Sequence, residues 1–132
     1  MLKVGDSASF SKTISEVDVY QFAGITGDFN PIHIDEVYAK DSFFKKRIVH
    51  GALVSGLISN VLGMKLPGPG CVYLEQNSKY LRPAYIGDTL TVDVVVEKIL
   101  NEDKGIIRLQ TRVLNQNHEL ILDGYAVIKV YD

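Results

Sequence analysis

From Ile48 to Met64, 17 consecutive positions carry no Asp, Glu, Lys or Arg. A membrane-spanning helix needs roughly 20 predominantly apolar residues. This run is shorter, and it includes His50, Gly51, Ser55, Gly56, Ser59, Asn60 and Gly63. Apolar or small on every side, it reads as a helix surrounded by protein, so the rest of the chain must supply its cover. The chain has 132 residues, 46% of them hydrophobic, which suits a single domain over residues 1–132. A net charge of -2 gives no electrostatic basis for holding nucleic acid or an anionic membrane.

The cover is predicted to be a sheet. Ahead of the turn at Pro67-Gly68-Pro69-Gly70 the pattern is helical. Ser15 with Asp18 offers a capped helix start leading to about Ala23, and Asp35 to Lys40 can form another short helix. After the turn, period two dominates. Leu90, Val92, Val94 and Val96 share one face of Thr89 to Glu97, and Ile107, Leu109, Thr111 and Val113 alternate with polar residues in the next segment. Asn115-Gln116-Asn117 turns the chain into a last run from Glu119 to Val130. Val72 to Leu81 and Ala8 to Ile14 are further strand candidates. Strands joined by short turns imply an antiparallel sheet, and its apolar face needs the uncharged helix. The expected class is α+β, one antiparallel sheet wrapped around a long central helix.

Groups able to move protons concentrate in one segment, Thr26-Gly27-Asp28-Phe29-Asn30-Pro31-Ile32-His33. Gly27 permits positive φ, while Pro31 fixes its own φ and pushes Asn30 toward an extended conformation, so this is a shaped loop between helices. An imidazole and a carboxylate five residues apart there can converge on one water and trade protons with a substrate. The same residue types also make ordinary turn bonds, with Asp28 and Asn30 capping backbone N–H groups and His33 half-buried.

The string Phe22-Ala23-Gly24-Ile25-Thr26-Gly27-Asp28-Phe29-Asn30-Pro31-Ile32-His33, with Ala39 six residues further on, resembles the signature of the MaoC-like dehydratases, the R-specific enoyl-CoA hydratases. Arg47-Ile48-Val49-His50-Gly51-Ala52-Leu53, Leu66-Pro67-Gly68-Pro69-Gly70 and Leu81-Arg82-Pro83-Ala84-Tyr85-Ile86-Gly87-Asp88-Thr89-Leu90 are similar to later segments of that family, so the resemblance covers nearly the whole chain. It implies a hot-dog fold and reversible syn addition of water to a trans-2-enoyl thioester, giving a 3R-hydroxyacyl thioester. Asp28 and His33 would be the catalytic pair, with a lean to Asp28 as base and His33 as acid. It also implies a homodimer whose sheet continues across the interface, with an acyl-CoA or an acyl carrier protein thioester as partner.

The enolate-like oxygen of such a reaction needs donors. Gly51, opening the uncharged helix, is the candidate for a backbone donor, and it could equally serve close packing. Ser59 matches a serine near the site in relatives, and Asn30 joins Gly51 and Ser59 as a substrate-binding candidate. His50 reads as structural or as a surface polar group and stays outside the catalytic set. Lys45-Lys46-Arg47 and Arg82 offer modest contacts for a phosphate-bearing carrier. No dinucleotide fingerprint or P-loop is present, and His33, His50 and His118 are not spaced as a metal-ligand set, so no cofactor or metal is expected. Cys71 is the one cysteine, which excludes an internal disulfide. The start Met1-Leu2-Lys3-Val4-Gly5-Asp6 has no apolar signal core, so a cytoplasmic location is expected.

The same architecture also supports thioesterases. They generally carry a lone carboxylate on or near the central helix, and Ile48 to Met64 has none. A non-catalytic acyl-thioester binding subunit is the remaining alternative, and it would not require both Asp28 and His33.

Overall fold

A computed structural model describes residues 2–131. Five strands, β1 (Ser7–Thr13), β2 (Cys71–Tyr80), β3 (Thr89–Asn101), β4 (Ile106–Leu114) and β5 (Leu120–Val130), form one sheet in the order β1-β3-β4-β5-β2. Every neighbouring pair is antiparallel. The period-two faces do what their pattern predicts. Leu90, Val92 and Val94 of β3 and Leu109 and Val113 of β4 are wholly buried, while Asp93 and Arg112, paired across the strands, look outward.

The helices are α1 (Glu16–Thr26), α2 (Pro31–Ile34), α3 (Glu36–Lys40), α4 (Gly51–Gly56) and α5 (Ile58–Met64), of which α5 packs directly against β1, β2 and β3. Val54, Ile58, Val61 and Leu62 join the strand residues in one core cluster. None of the described helices is long and apolar enough to cross a membrane.

The uncharged helix opens at Gly51 as expected, after an extended stretch from Ile48 to His50 in which Ile48 bridges to Tyr85. It departs from its expected form in two ways. It is interrupted at Leu57. The Leu57 N–H is shared between the Leu53 and Val54 carbonyls, and the Asn60 N–H bonds to the Leu57 carbonyl three residues back, a local tightening of the pitch. Nor is the helix covered on all sides. Ala52, Gly56 and Ser59 are exposed on a face that borders β2, and Met64 is exposed at the end of α5.

Candidate active site

The chain reaches the site through successive caps. Ser15 and Asp18 form a reciprocal capping box at the start of α1. Gly27 ends that helix at φ 80°, a left-handed conformation that favours glycine, and its N–H bonds to the Ala23 carbonyl at 2.8 Å. Thr26 Oγ1 donates to the Phe22 carbonyl at 2.9 Å and accepts the Asp28 N–H at 3.2 Å. The Asp28 carboxylate accepts the Asn30 N–H at 3.1 Å, and Asn30 Oδ1 caps α2 by accepting the Ile32 N–H at 3.3 Å. Pro31 sits in the first turn of that helix, where its missing N–H costs nothing. What sequence suggested as one shaped loop is therefore a tight turn feeding a single helical turn, and that turn directs His33 inward.

His33 is 8% exposed, whereas Asp28 stays exposed at the surface. The Nδ1 of His33 lies 2.7 Å from the Ile48 carbonyl. A carbonyl can only accept, so Nδ1 carries the proton in neutral His33 and Nε2 is left as the atom that can take or give one. Burial lowers the proton affinity of His33 below its usual value, and the charge of His50 acts the same way. The Ile48 bond and the Asp28 carboxylate oppose that shift.

The fold adds a group that the sequence reading leaves out. His50, 1% exposed, stacks on His33 with ring centroids 3.9 Å apart and an interplanar angle of 27°. Asp28, His33 and His50 each offer an atom within 4.8 Å of the other two. Sequence spacing separates the two histidines, and the fold superposes them. Asp, His and His is a donor set that metals use, but in stacked rings the in-plane lone pairs run side by side and do not converge on one ion. Proton transfer suits the arrangement better.

Gly51 follows His50 directly and is the first residue of α4, where backbone N–H groups lack intrahelical partners. A Cβ there would lie 3.1 Å from Tyr80 Cε1, so the Tyr80 ring packs closely over this glycine and would have to give way to a larger residue. Gly51 lines a cavity of about 270 Å³ with Ile48, Val54, Tyr80 and Arg82. Ser59 lies apart from it, in a groove of about 400 Å³ between α4, α5 and β2, with Ala52, Tyr73, Leu74 and Tyr80. Tyr80 borders both spaces. The oxygen of Asn30 is committed to capping α2. Lys46 lies over the Tyr85 ring and Arg82 pairs with Glu119 at 3.4 Å, both beside a polar depression next to the Gly51 cavity.

A family model described as "MaoC like domain" matches residues 3–118. The (R)-specific enoyl-CoA hydratase of Rhodospirillum rubrum is 44% identical over 98% of this chain and 88% of its own length. The 3-hydroxybutyryl-CoA dehydratase of Methylorubrum extorquens is 43% identical over 98% of this chain and 81% of its own. Among solved structures, the (R)-hydratase from Aeromonas caviae involved in PHA biosynthesis superposes with a TM-score of 0.94 at 41% identity, covering 98% of each chain. The order of its strands, the helical run they cover and these matches together make this chain a member of the MaoC-like domain family, with the hot-dog fold.

Proposed function

We propose that this protein is an R-specific enoyl-CoA hydratase, a hydro-lyase that adds water reversibly to trans-2-enoyl thioesters. The observation that carries the reading is the convergence of the Asp28 carboxylate with a buried His33 whose Nδ1 is occupied by a carbonyl. A water held between that carboxylate and His33 Nε2 has a proton acceptor on either side. As its oxygen attacks C3, one member of the pair takes a proton and the double-bond electrons move toward C2 and the thioester oxygen. The pair then delivers a proton to C2. Both groups lie on one side of the substrate, so the hydroxyl and the proton arrive on the same face, which is syn addition. In the starting assignment Asp28 is the base and His33 the acid: the water's proton goes to Asp28, crosses to the free Nε2 of His33 and is delivered from there to C2. Two coupled groups this close can exchange those roles within a turnover. The Gly51 N–H, at the positive end of α4, is the donor we assign to the developing enolate oxygen, and Ser59 and Asn30 are the further substrate contacts.

The chemistry needs no redox cofactor or metal, only the thioester itself. Relatives named for CoA substrates support coenzyme A as the carrier, and the basic groups Lys46 and Arg82 lie where its phosphates could be met. We further infer a homodimer, one domain per chain, working in the cytoplasm.

The assay follows loss of crotonyl-CoA absorbance while free thiol is monitored. Wild type is expected to hydrate without releasing thiol. Asp28→Asn and His33→Ala are each expected to lower kcat by roughly 10²–10⁴-fold, the range for a displaced general acid or base. Thiol release without hydration would identify a thioesterase and overturn the proposal, and neither signal would indicate a binding subunit. A product consumed only by a 3S-specific dehydrogenase would overturn the stereochemistry.

A further inference from the structure

His50 is a buried titratable group that the chemistry above does not use. Its ring lies between His33 at 3.9 Å and Phe22 at 4.9 Å, and its Nε2 reaches the Asp28 backbone carbonyl at 3.0 Å. Its Nδ1 is buried with no partner among the described residues. Packing alone does not explain such a residue, because a phenylalanine would fill similar space without an unpaired buried nitrogen. We propose that His50 is a positioning residue: its Nε2–H holds the Asp28 backbone while its ring face sets the plane of His33, fixing the two reacting groups relative to each other.

The argument rests on how Asp28 and His33 are tied down. The other bonds on Asp28 run to Thr26, the last residue of α1, and to Asn30, each only two residues away, so they shape the turn locally. The bond to His50 spans 22 residues and ties the turn to a distant part of the chain. His33 is held in parallel by the Ile48 carbonyl. Both reacting residues therefore hang from the three-residue segment Ile48 to His50. That segment is pinned in turn, with the Val49 N–H on the Ala84 carbonyl at 2.7 Å and the Ile48 N–H on the Ile32 carbonyl at 3.2 Å. It continues directly into Gly51, so one short stretch registers the proton-transfer pair against the proposed enolate donor. The carbonyl of Asp28 also dictates the tautomer, since in neutral His50 the proton must be on Nε2.

The inference rests on the hydratase reading, and the test separates the two. In wild type, imidazole ¹⁵N shifts are expected to place the proton of neutral His50 on Nε2. His50→Phe keeps a ring against His33 but no donor, and is expected to lower kcat roughly 100-fold with KM little changed, the scale of a misplaced reacting group. His50→Gln returns a donor near the Nε2 position and is expected to recover to within about 10-fold of wild type. Of the groups acting on His33, Asp28 on the turn raises its proton affinity and His50 lowers it, while Phe22 on α1, packed against His50, carries no charge. Both substitutions should accordingly move the His33 limb of the pH profile to higher pH. In an Asp28→Asn background His50→Phe should cost far less than in wild type. Equal kcat for the Phe and Gln variants, or an Nδ1–H tautomer, overturns the proposal. Should the Phe variant fail to fold, the Gln variant and the wild-type tautomer decide. Should wild type fail to hydrate, the functional reading has failed, and the Asp28 carbonyl ¹³C shift then decides, since its standing unmoved in His50→Phe overturns positioning.

Discussion

His33 links the chemistry of the site to the stability of the fold. Because burial lowers its proton affinity in the folded chain, the unfolded chain binds more protons as the pH falls through the usual histidine value of 6.5. Stability is therefore complete above that pH and declines below it, down to the lowered folded value. Urea unfolding of wild type from pH 8 to pH 5 should show the midpoint falling on the acid side of 6.5, and His33→Gln should flatten that fall. Parallel curves for the two proteins would place the pH sensitivity elsewhere. Asp28 and His33 are legible in sequence because they share one contiguous string whose Gly and Pro betray its shape. His50 is not, because its partners are distant in the chain and a histidine just ahead of a helix has no local pattern to mark it. The absence of any charge around it from Ile48 to Met64 was the available signal that it is buried.

Strands β3 and β4 are readable because their alternation carries enough buried aliphatic residues to specify a face. Thr111 is the exception within that face. It is wholly buried, and the Gln76 Nε2 donates to its hydroxyl at 3.2 Å, a partner on β2 that no local pattern supplies. The interruption at Leu57 is equally unreadable, since Leu is a good helix former. Gly124 in β5 is a glycine inside a strand, where another backbone comes close. A Cβ there would run into the Asn77 carbonyl and lie 3.1 Å from the Ser78 Cα. Asn77 and Ser78 belong to the β2 segment paired with β5 at Tyr125 and Gly124. Gly124→Ala should consequently destabilise the fold by about 1–3 kcal/mol, the usual cost of overpacking, with β2 amides exchanging first. A unchanged urea midpoint would show that the strands can part without cost.

At the scale of the molecule, the order β1-β3-β4-β5-β2 leaves two edges with different protection. Such an order depends on long-range pairing and could not be read from local pattern. The edge at β1 is polar, Ser7-Ala8-Ser9-Phe10-Ser11-Lys12-Thr13, as a solvated edge should be. The edge at β2 instead exposes Val72, Tyr73 and Leu74, and the adjoining helical face exposes the small residues Ala52, Gly56 and Ser59. An unpaired, apolar edge of this kind fits a second copy added antiparallel about a two-fold axis, extending the sheet across the pair. The groove containing Ser59 opens on that same surface, so its far wall would come from the partner. Placing a lysine there tests the assembly and the activity together, because the cation must be desolvated at the seam. Leu74→Lys is expected to weaken dimerisation roughly 100-fold or more, about 2.8 kcal/mol, by sedimentation equilibrium. Hydration should fall in step with the dimer fraction as the protein is diluted. Val4→Lys, at an exposed apolar position outside that edge, should leave both unchanged. A wild-type protein that sediments as a monomer with full activity would show that one copy completes the site alone, and the apolar edge of β2 would then need a different explanation.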